Sequence, residues 1–348
     1  MEQRDVAVAN DHEATAARGA VGAGPVAPSS ASPARVRPLP LDAVRLDPSG
    51  QLGAWQVVNR DATLPTCIAH VEERGNVDNL RRVLGGADGD FRGLPFADSD
   101  IYKTLEAAGW ELQRGPRAEL DEFVDATARL LAEVQEDDGY LNSWFQGVHP
   151  DDKLRQFHWG HEMYCAGHLI QASVAVARTT GREDLLAVAT RFADLLARRF
   201  GDNGEQAIDG HPEVETALVE LYRLTDEAAY LDLAERMVEL RGRGLLGDDR
   251  FPANYFQDHA PVREATEATG HAVRQLYLAA GVTDVYLERG DPTLLTAMEA
   301  LWDSVFSQKT YVTGAHGSRH RDEAFGDPYE LPPDRAYNET YASIASFH

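Results

Sequence analysis

Thr180-Gly-Arg-Glu-Asp-Leu-Leu186 closes one helix and opens another, and it decides the fold. Before it, Met163 to Ala177 is a helical run of small residues that Gly181 ends. After it, Leu185, Leu186, Ala189, Phe192, Leu195 and Leu196 recur at helical spacing on one face. The same unit returns as Thr225-Asp-Glu-Ala-Ala-Tyr-Leu231 and as Arg289-Gly-Asp-Pro-Thr-Leu-Leu295. Each has a short polar turn, an acidic residue beside a small one, and an aliphatic opening to the next helix. Leu186, Leu231 and Leu295 are 45 and 64 residues apart. The spacing predicts αα-hairpins at repeating but unequal intervals. Unequal intervals argue against a strict solenoid and suit a closed helical toroid, an all-α (α/α)6 barrel whose loops gather at one rim.

Working outward, Leu120, Phe123, Val124, Thr127, Leu130, Leu131 and Val134 form another stripe, and Gly139 ends that helix. Asp98 or Ser99 is placed to cap a helix through Ile101, Leu105 and Ala108. Leu64 to Leu84 is also helix-spaced, Gly85 to Asp90 reads as a loop, and Trp55-Gln-Val-Val58 reads as a short strand. Residues 1–36 are rich in Ala and Pro with few large apolar side chains, and are expected to be a disordered tail. Residues 37–348 are then one barrel domain.

The chain has 348 residues, 43% of them hydrophobic, which is enough for a sizeable core. Lys and Arg number 33 against 57 Asp and Glu, a net charge of −24, which repels phosphate backbones and excludes nucleic acid as a partner. Cys67 and Cys165 are too few for a disulfide framework or a cysteine-rich zinc site and fit a reducing, cytoplasmic setting. No run approaches the roughly 20 apolar residues of a membrane span, so no membrane partner is expected. A homodimer stays open.

Five stretches carry candidate chemistry. Asp138-Gly-Tyr-Leu-Asn-Ser-Trp-Phe145 offers aromatic faces, Tyr140 among them, that suit sugar rings or merely plug the core. In His158-Trp-Gly-His-Glu-Met-Tyr-Cys-Ala-Gly-His168, a zincin motif fails because Cys165 stands where the second histidine belongs. Its histidines favour a pocket over isolated core positions. In Gly210-His-Pro-Glu-Val-Glu215, Pro212 and Glu213 mark a helix start with His211 at its mouth. Arg263, Glu267 and His271 follow i, i+4, i+8 and are expected on one helix face, as a pocket edge or a solvated stripe. The fifth stretch runs from Tyr311 to Tyr341 and is dense in glycine, aromatics and carboxylates. Glu323 and Glu339 there are the two carboxylates that general acid/base cleavage of a glycosidic bond needs. One of them must stay protonated, and burial beside Phe325 or Tyr337 is expected to raise its pKa.

Taken together, these strings resemble glycoside hydrolase family 127, the β-L-arabinofuranosidases. The resemblance rests on Phe96-Ala-Asp-Ser-Asp-Ile-Tyr-Lys103, Asp138-Gly-Tyr-Leu-Asn142, His161-Glu-Met-Tyr-Cys-Ala-Gly-His168, Gly210-His-Pro-Glu213, Asp258-His-Ala-Pro-Val-Arg-Glu264, Gly270-His271 and the terminal segment, in that order. It covers about Pro38 to His348 and implies an (α/α)6 barrel followed by β-sandwich domains. It implies retaining hydrolysis of β-L-arabinofuranosides by a zinc-bound cysteine thiolate with a glutamate as acid/base. By resemblance Glu323 is the acid/base, Glu339 a zinc ligand, and His161, His211 and His271, with Tyr140, hold the sugar. The family usually has a cysteine two residues after that ligand glutamate, and here the position is Tyr341. The nucleophile region of the family would follow His348. The barrel is therefore expected to be incomplete at its C-terminal end, truncated before the β-sandwich domains, and without turnover as it stands. A non-catalytic sugar-binding remnant and a barrel epimerase or isomerase, working through His161 and His271 without zinc, are the other readings.

Overall fold

The computed structural model describes residues 23–247 and 250–348. Its helices are α1 Gln51–Val58, α2 Leu64–Glu73, α3 Asn76–Val83, α4 Asp98–Leu112, α5 Ala118–Val134 and α6 Ser143–Gly147. They continue with α7 Glu162–Thr180, α8 Asp184–Phe200, α9 Val214–Thr225, α10 Ala228–Leu240, α11 Ala272–Arg289, α12 Pro292–Trp302 and α13 Thr340–Ala345. Among the described residues there is no strand, only isolated bridges of Ala324 with His271 and Arg319.

The three repeat units are the turns of hairpins α7/α8, α9/α10 and α11/α12. Asp291 and Glu227 accept backbone N–H bonds at the starts of α12 and α10, and Gly181 ends α7 in a left-handed conformation. The helices form two layers. In the inner layer α4 packs on α7, α7 on α9, α9 on α11, and α11 on α13. The outer layer holds α5, α8, α10 and α12. Burial separates the layers as the sequence pattern requires. Every residue of α7 from Glu162 to Arg178 is buried, whereas α8 buries one stripe that includes Leu185, Phe192 and Leu196. The inner helices approach closely at glycines. A Cβ on Gly109 would sit 3.1 Å from Val176 Cγ2, and one on Gly281 2.7 Å from Glu215 Cβ.

Four local expectations are corrected. Trp55 to Val58 is helical, not a strand, and continues α1 towards α2. Asp98 does not cap α4: both its oxygens are taken by Ser143, through backbone N–H at 2.7 Å and Oγ at 2.5 Å. Arg263, Glu267 and His271 do not share a helix, because the chain is helical only over Val262–Glu264 and Gly270 turns it at φ 71°. Of the tail expected to be disordered over 1–36, residues 1–22 lie outside the described residues. Residues 23–36 lie against the carboxyl ends of the inner helices: Arg178 donates to Gly24 O at 3.2 Å and Ser29 Oγ to Glu288 at 2.6 Å. Short polar side chains and backbone carbonyls hold this segment, so its lack of large apolar residues did not leave it unpartnered.

Candidate active site

The inner helices run the same way because each outer helix returns the chain. Their amino ends therefore meet at one rim, opposite residues 23–36. His161 precedes α7, His211 lies just before the Glu213 N-cap of α9, His271 caps α11, and Glu339 precedes α13. The three imidazoles form an arc, with ring centroids 5.8 Å apart for His161 and His211 and 6.2 Å for His211 and His271. His161 is left-handed at φ 57°, a conformation uncommon outside glycine, and it turns the loop directly into α7.

Backbone partners set the tautomers. His161 Nδ1 lies 2.8 Å from Trp159 O, and His211 Nδ1 lies 2.8 Å from Pro212 O. A carbonyl only accepts, so both Nδ1 atoms carry the proton and both Nε2 atoms are acceptors. His271 is reversed: its Nδ1 faces the Arg274 backbone N–H at 3.5 Å, and its Nε2 lies 2.9 Å from Glu323 Oε2. Burial, with the Arg274 guanidinium as the next cause, pushes His161 down to about 3 and His211 well below the usual range. The imidazoles are thus held neutral and offer acceptors at the Nε2 atoms of His161 and His211, while His271 gives its Nε2–H to Glu323.

Glu323 is set by backbone bonds between the terminal loop and α11. Its carbonyl accepts from Ala272 N at 3.0 Å, and Phe325 N donates to Gly270 O at 2.9 Å. Its φ of 53° is strained for a non-glycine residue. The side chain is 42% exposed. The hydrogen bond from His271 is the main influence on its carboxyl and holds it below the usual range. Glu339 differs: burial, then the charge on Glu323, raises it. The pair is split as an acid and a base must be. The raised member is Glu339 and not Glu323 beside Phe325, because Glu323 points to His271 and solvent.

Tyr341 is held beneath the arc. Its hydroxyl lies 3.1 Å from Tyr164 OH and 3.0 Å from His168 Nε2, and His168 Nδ1 lies 3.3 Å from Glu213 Oε1. Burial raises the Tyr341 and Glu213 pKa values well above the usual and lowers that of His168. Tyr341, Tyr164 and His168 Nε2 share hydrogen bonds, whereas His168 Nδ1 and both Glu213 carboxyl oxygens are buried with no hydrogen-bond partner. The donors on this chain do not fit a zinc ion. Beside Glu339 stands a phenol that burial keeps protonated, and among the described residues no group of three or more His, Cys, Asp or Glu is arranged to hold a metal. Cys165 is buried with its thiol pushed far up, chiefly by burial.

The structure thus brings His161, His211, His271, Glu323 and Glu339 to one rim. Tyr140 is not brought there: it is 1% exposed, its hydroxyl bonds Glu162, and its ring packs on Phe192, as a core plug. Arg263 pairs with Glu239 and Asp291, and Glu267 pairs with Lys309 at 2.6 Å. Two residues of the site had no sequence signal. Asp209 accepts Met163 N at 2.9 Å, Tyr164 N at 3.2 Å and His211 N at 3.0 Å, tying α7 to the His211 loop. Arg274 is 3% exposed, its Nη2 is 3.5 Å from His161 Nε2, and its Nε and Nη1 have no hydrogen-bond partner.

Known proteins share this arrangement of sequence and fold. The sequence model of the β-L-arabinofuranosidase GH127 catalytic domain matches residues 43–348. The chain is 40% identical over 291 residues to the non-reducing end β-L-arabinofuranosidase of Bifidobacterium longum subsp. longum, covering 77% of this chain and 44% of that protein. It superposes on a GH127 β-L-arabinofuranosidase from Geobacillus stearothermophilus T6 with a TM-score of 0.82 at 34% identity, over 87% of this chain and 51% of the other. A second GH127 β-arabinofuranosidase gives 0.80 at 35% identity, over 85% and 48%. The chain spans about half the length of these relatives. With a family match across most of its length, the chain belongs to the GH127 β-L-arabinofuranosidase catalytic-domain family.

Proposed function

We propose that this chain supplies the sugar-binding and acid/base part of a retaining β-L-arabinofuranosidase. The observation that carries the reading is the neutral imidazole arc set against a carboxyl pair of unequal pKa. His161 and His211 accept from sugar hydroxyls, and His271 holds Glu323 in place. Glu323 serves as acid/base: in its ionised form it takes the proton of the attacking water, and it receives the proton destined for the leaving oxygen from its immediate surroundings. Glu339, raised by burial and by the charge on Glu323, is the neighbouring carboxyl that can supply that proton. Cys165, buried with its thiol pushed up, does not suit attack on the sugar, and on this reading the 348 residues alone bind the sugar and do not turn it over. Multiple turnovers of an aryl β-L-arabinofuranoside by this chain would refute that part.

The acid/base assignment is tested in a form of the protein that hydrolyses aryl glycosides. Glu323→Gln is expected to slow substrates with poor leaving groups by about 100-fold or more and activated ones far less. If Glu339→Gln shows that leaving-group dependence and Glu323→Gln does not, the two carboxyls exchange roles.

A further inference from the structure

We propose that Trp159, Phe251 and Tyr255 form a second sugar subsite at the mouth of the imidazole arc, for the saccharide unit linked to the furanose. The three rings make a nearly parallel wall. Trp159 and Phe251 have centroids 6.0 Å apart at 19°, and Phe251 and Tyr255 are 4.1 Å apart at 12°. Both ends of the wall touch the arc: the Trp159 ring is 6.0 Å from His161, and Tyr255 is 5.3 Å from His271. Exposure rises along the stack from Tyr255 at 6% to Trp159 at 36%, so Trp159 is its solvent-facing end.

The Arg250 guanidinium lies 5.0 Å from the Trp159 centroid and 5.4 Å from that of Phe251. It is exposed and brings N–H donors to the wall's open side. A sugar ring has C–H faces that pack on an aromatic face and hydroxyls that need polar partners at the edge; the inner faces of the stack cover one another, so the exposed Trp159 ring offers the platform and Arg250 the donors. The two loops that carry it are fixed. Gly210 N donates to Phe157 O at 2.7 Å, Tyr255 N to Pro252 O at 2.9 Å, and His271 N to Tyr255 O at 3.4 Å. A platform held this way needs little ordering when a ligand arrives.

This inference rests on the sugar reading of the arc, and calorimetry on the 348-residue chain separates the two. The ligands are methyl β-L-arabinofuranoside and the methyl glycoside of a disaccharide that carries the same β-linked furanose at its non-reducing end. The disaccharide is expected to bind about tenfold more tightly than the monosaccharide. Trp159→Ala is expected to remove most of that advantage while leaving monosaccharide affinity within about twofold. Arg250→Ala, a surface change that leaves the ring stack in place, is expected to weaken the disaccharide alone by about threefold. Equal affinity for both ligands in the unaltered chain overturns the subsite, as does a parallel loss of both in Trp159→Ala and no selective loss in Arg250→Ala. Binding of neither ligand by the unaltered chain overturns the sugar reading itself.

Discussion

His161 gives the sharpest test of the neutral arc. In the folded chain burial and the Arg274 guanidinium bring its pKa down to about 3. In the unfolded chain it titrates near 6.5. Between those values the unfolded state binds a proton that the folded state refuses, so stability rises with pH across the window and is fully present above about 6.5. Each pH unit inside the window is worth about 1.4 kcal/mol, so lowering the pH from 6.5 to 5.0 removes about 2 kcal/mol through this one side chain. Buried carboxyls act in the opposite direction. Asp209 and Glu162, raised to about 6 and 7 chiefly by burial, lose stability as pH rises through those values. Comparing two proteins that differ only at His161 cancels their share. His161→Asn is the suitable variant, because asparagine tolerates the φ of 57° and does not titrate. Urea unfolding of both proteins at pH 8, 7, 6 and 5 gives the stability difference at each pH. That difference is expected to be constant above about pH 6.5 and to move by about 2 kcal/mol against the histidine protein by pH 5. A difference that stays level to pH 5 would show that His161 takes up its proton freely, and the two-acceptor arc would fail with it.

Two further substitutions probe the frame behind the arc. Gly281→Ala places a Cβ 2.7 Å from Glu215 Cβ and 3.2 Å from Thr216 N at the α9–α11 contact, and is expected to cost about 1–3 kcal/mol in urea unfolding; an unchanged midpoint would mean the inner helices are not locked there. Tyr341→Phe strips the hydroxyl shared by Tyr164 and His168 and is expected to destabilise by about 1–3 kcal/mol, read from the same midpoint; a more stable variant would show that the phenol is not satisfied where it stands.

The outer layer was legible because amphipathic helices carry a 3.6-residue stripe and clear stops. Leu186, Leu231 and Leu295 open the second helices of three hairpins, as their repeated turns imply. Errors arose where a short window competed with a longer one. Trp55-Gln-Val-Val58 has the β-branched content of a strand, but four residues are too few to set a period, and α1 begins at Gln51. Arg263, Glu267 and His271 have helical spacing, yet the turn that opens after Pro261 ends at Glu264, and Gly270 turns the chain before His271. The three histidines were visible for a different reason. Each sits at a loop-to-helix junction, and a closed ring of hairpins must bring the amino ends of its inner helices together.

What the sequence could not contain was the partner of each charged group. Glu323 and Glu339 are chemically alike and 16 positions apart. They separate because His271, brought back by the Gly270–Phe325 and Ala272–Glu323 backbone bonds, reaches Glu323, while burial and the charge on Glu323 raise Glu339. Arg274 meets His161 across 113 positions, and Asp209 meets Met163 across 46. No local pattern encodes such pairings, although Arg274 stands only three residues after His271 and shares its helix. The difference in pKa between the carboxyls is therefore a property of the closed ring, since it follows from which helix end each glutamate faces. Breaking the Glu323–His271 bond should narrow that difference even with both glutamates in place. His271→Ala removes the main influence that lowers Glu323, leaving burial to raise it against the Tyr337 hydroxyl and the Arg274 charge.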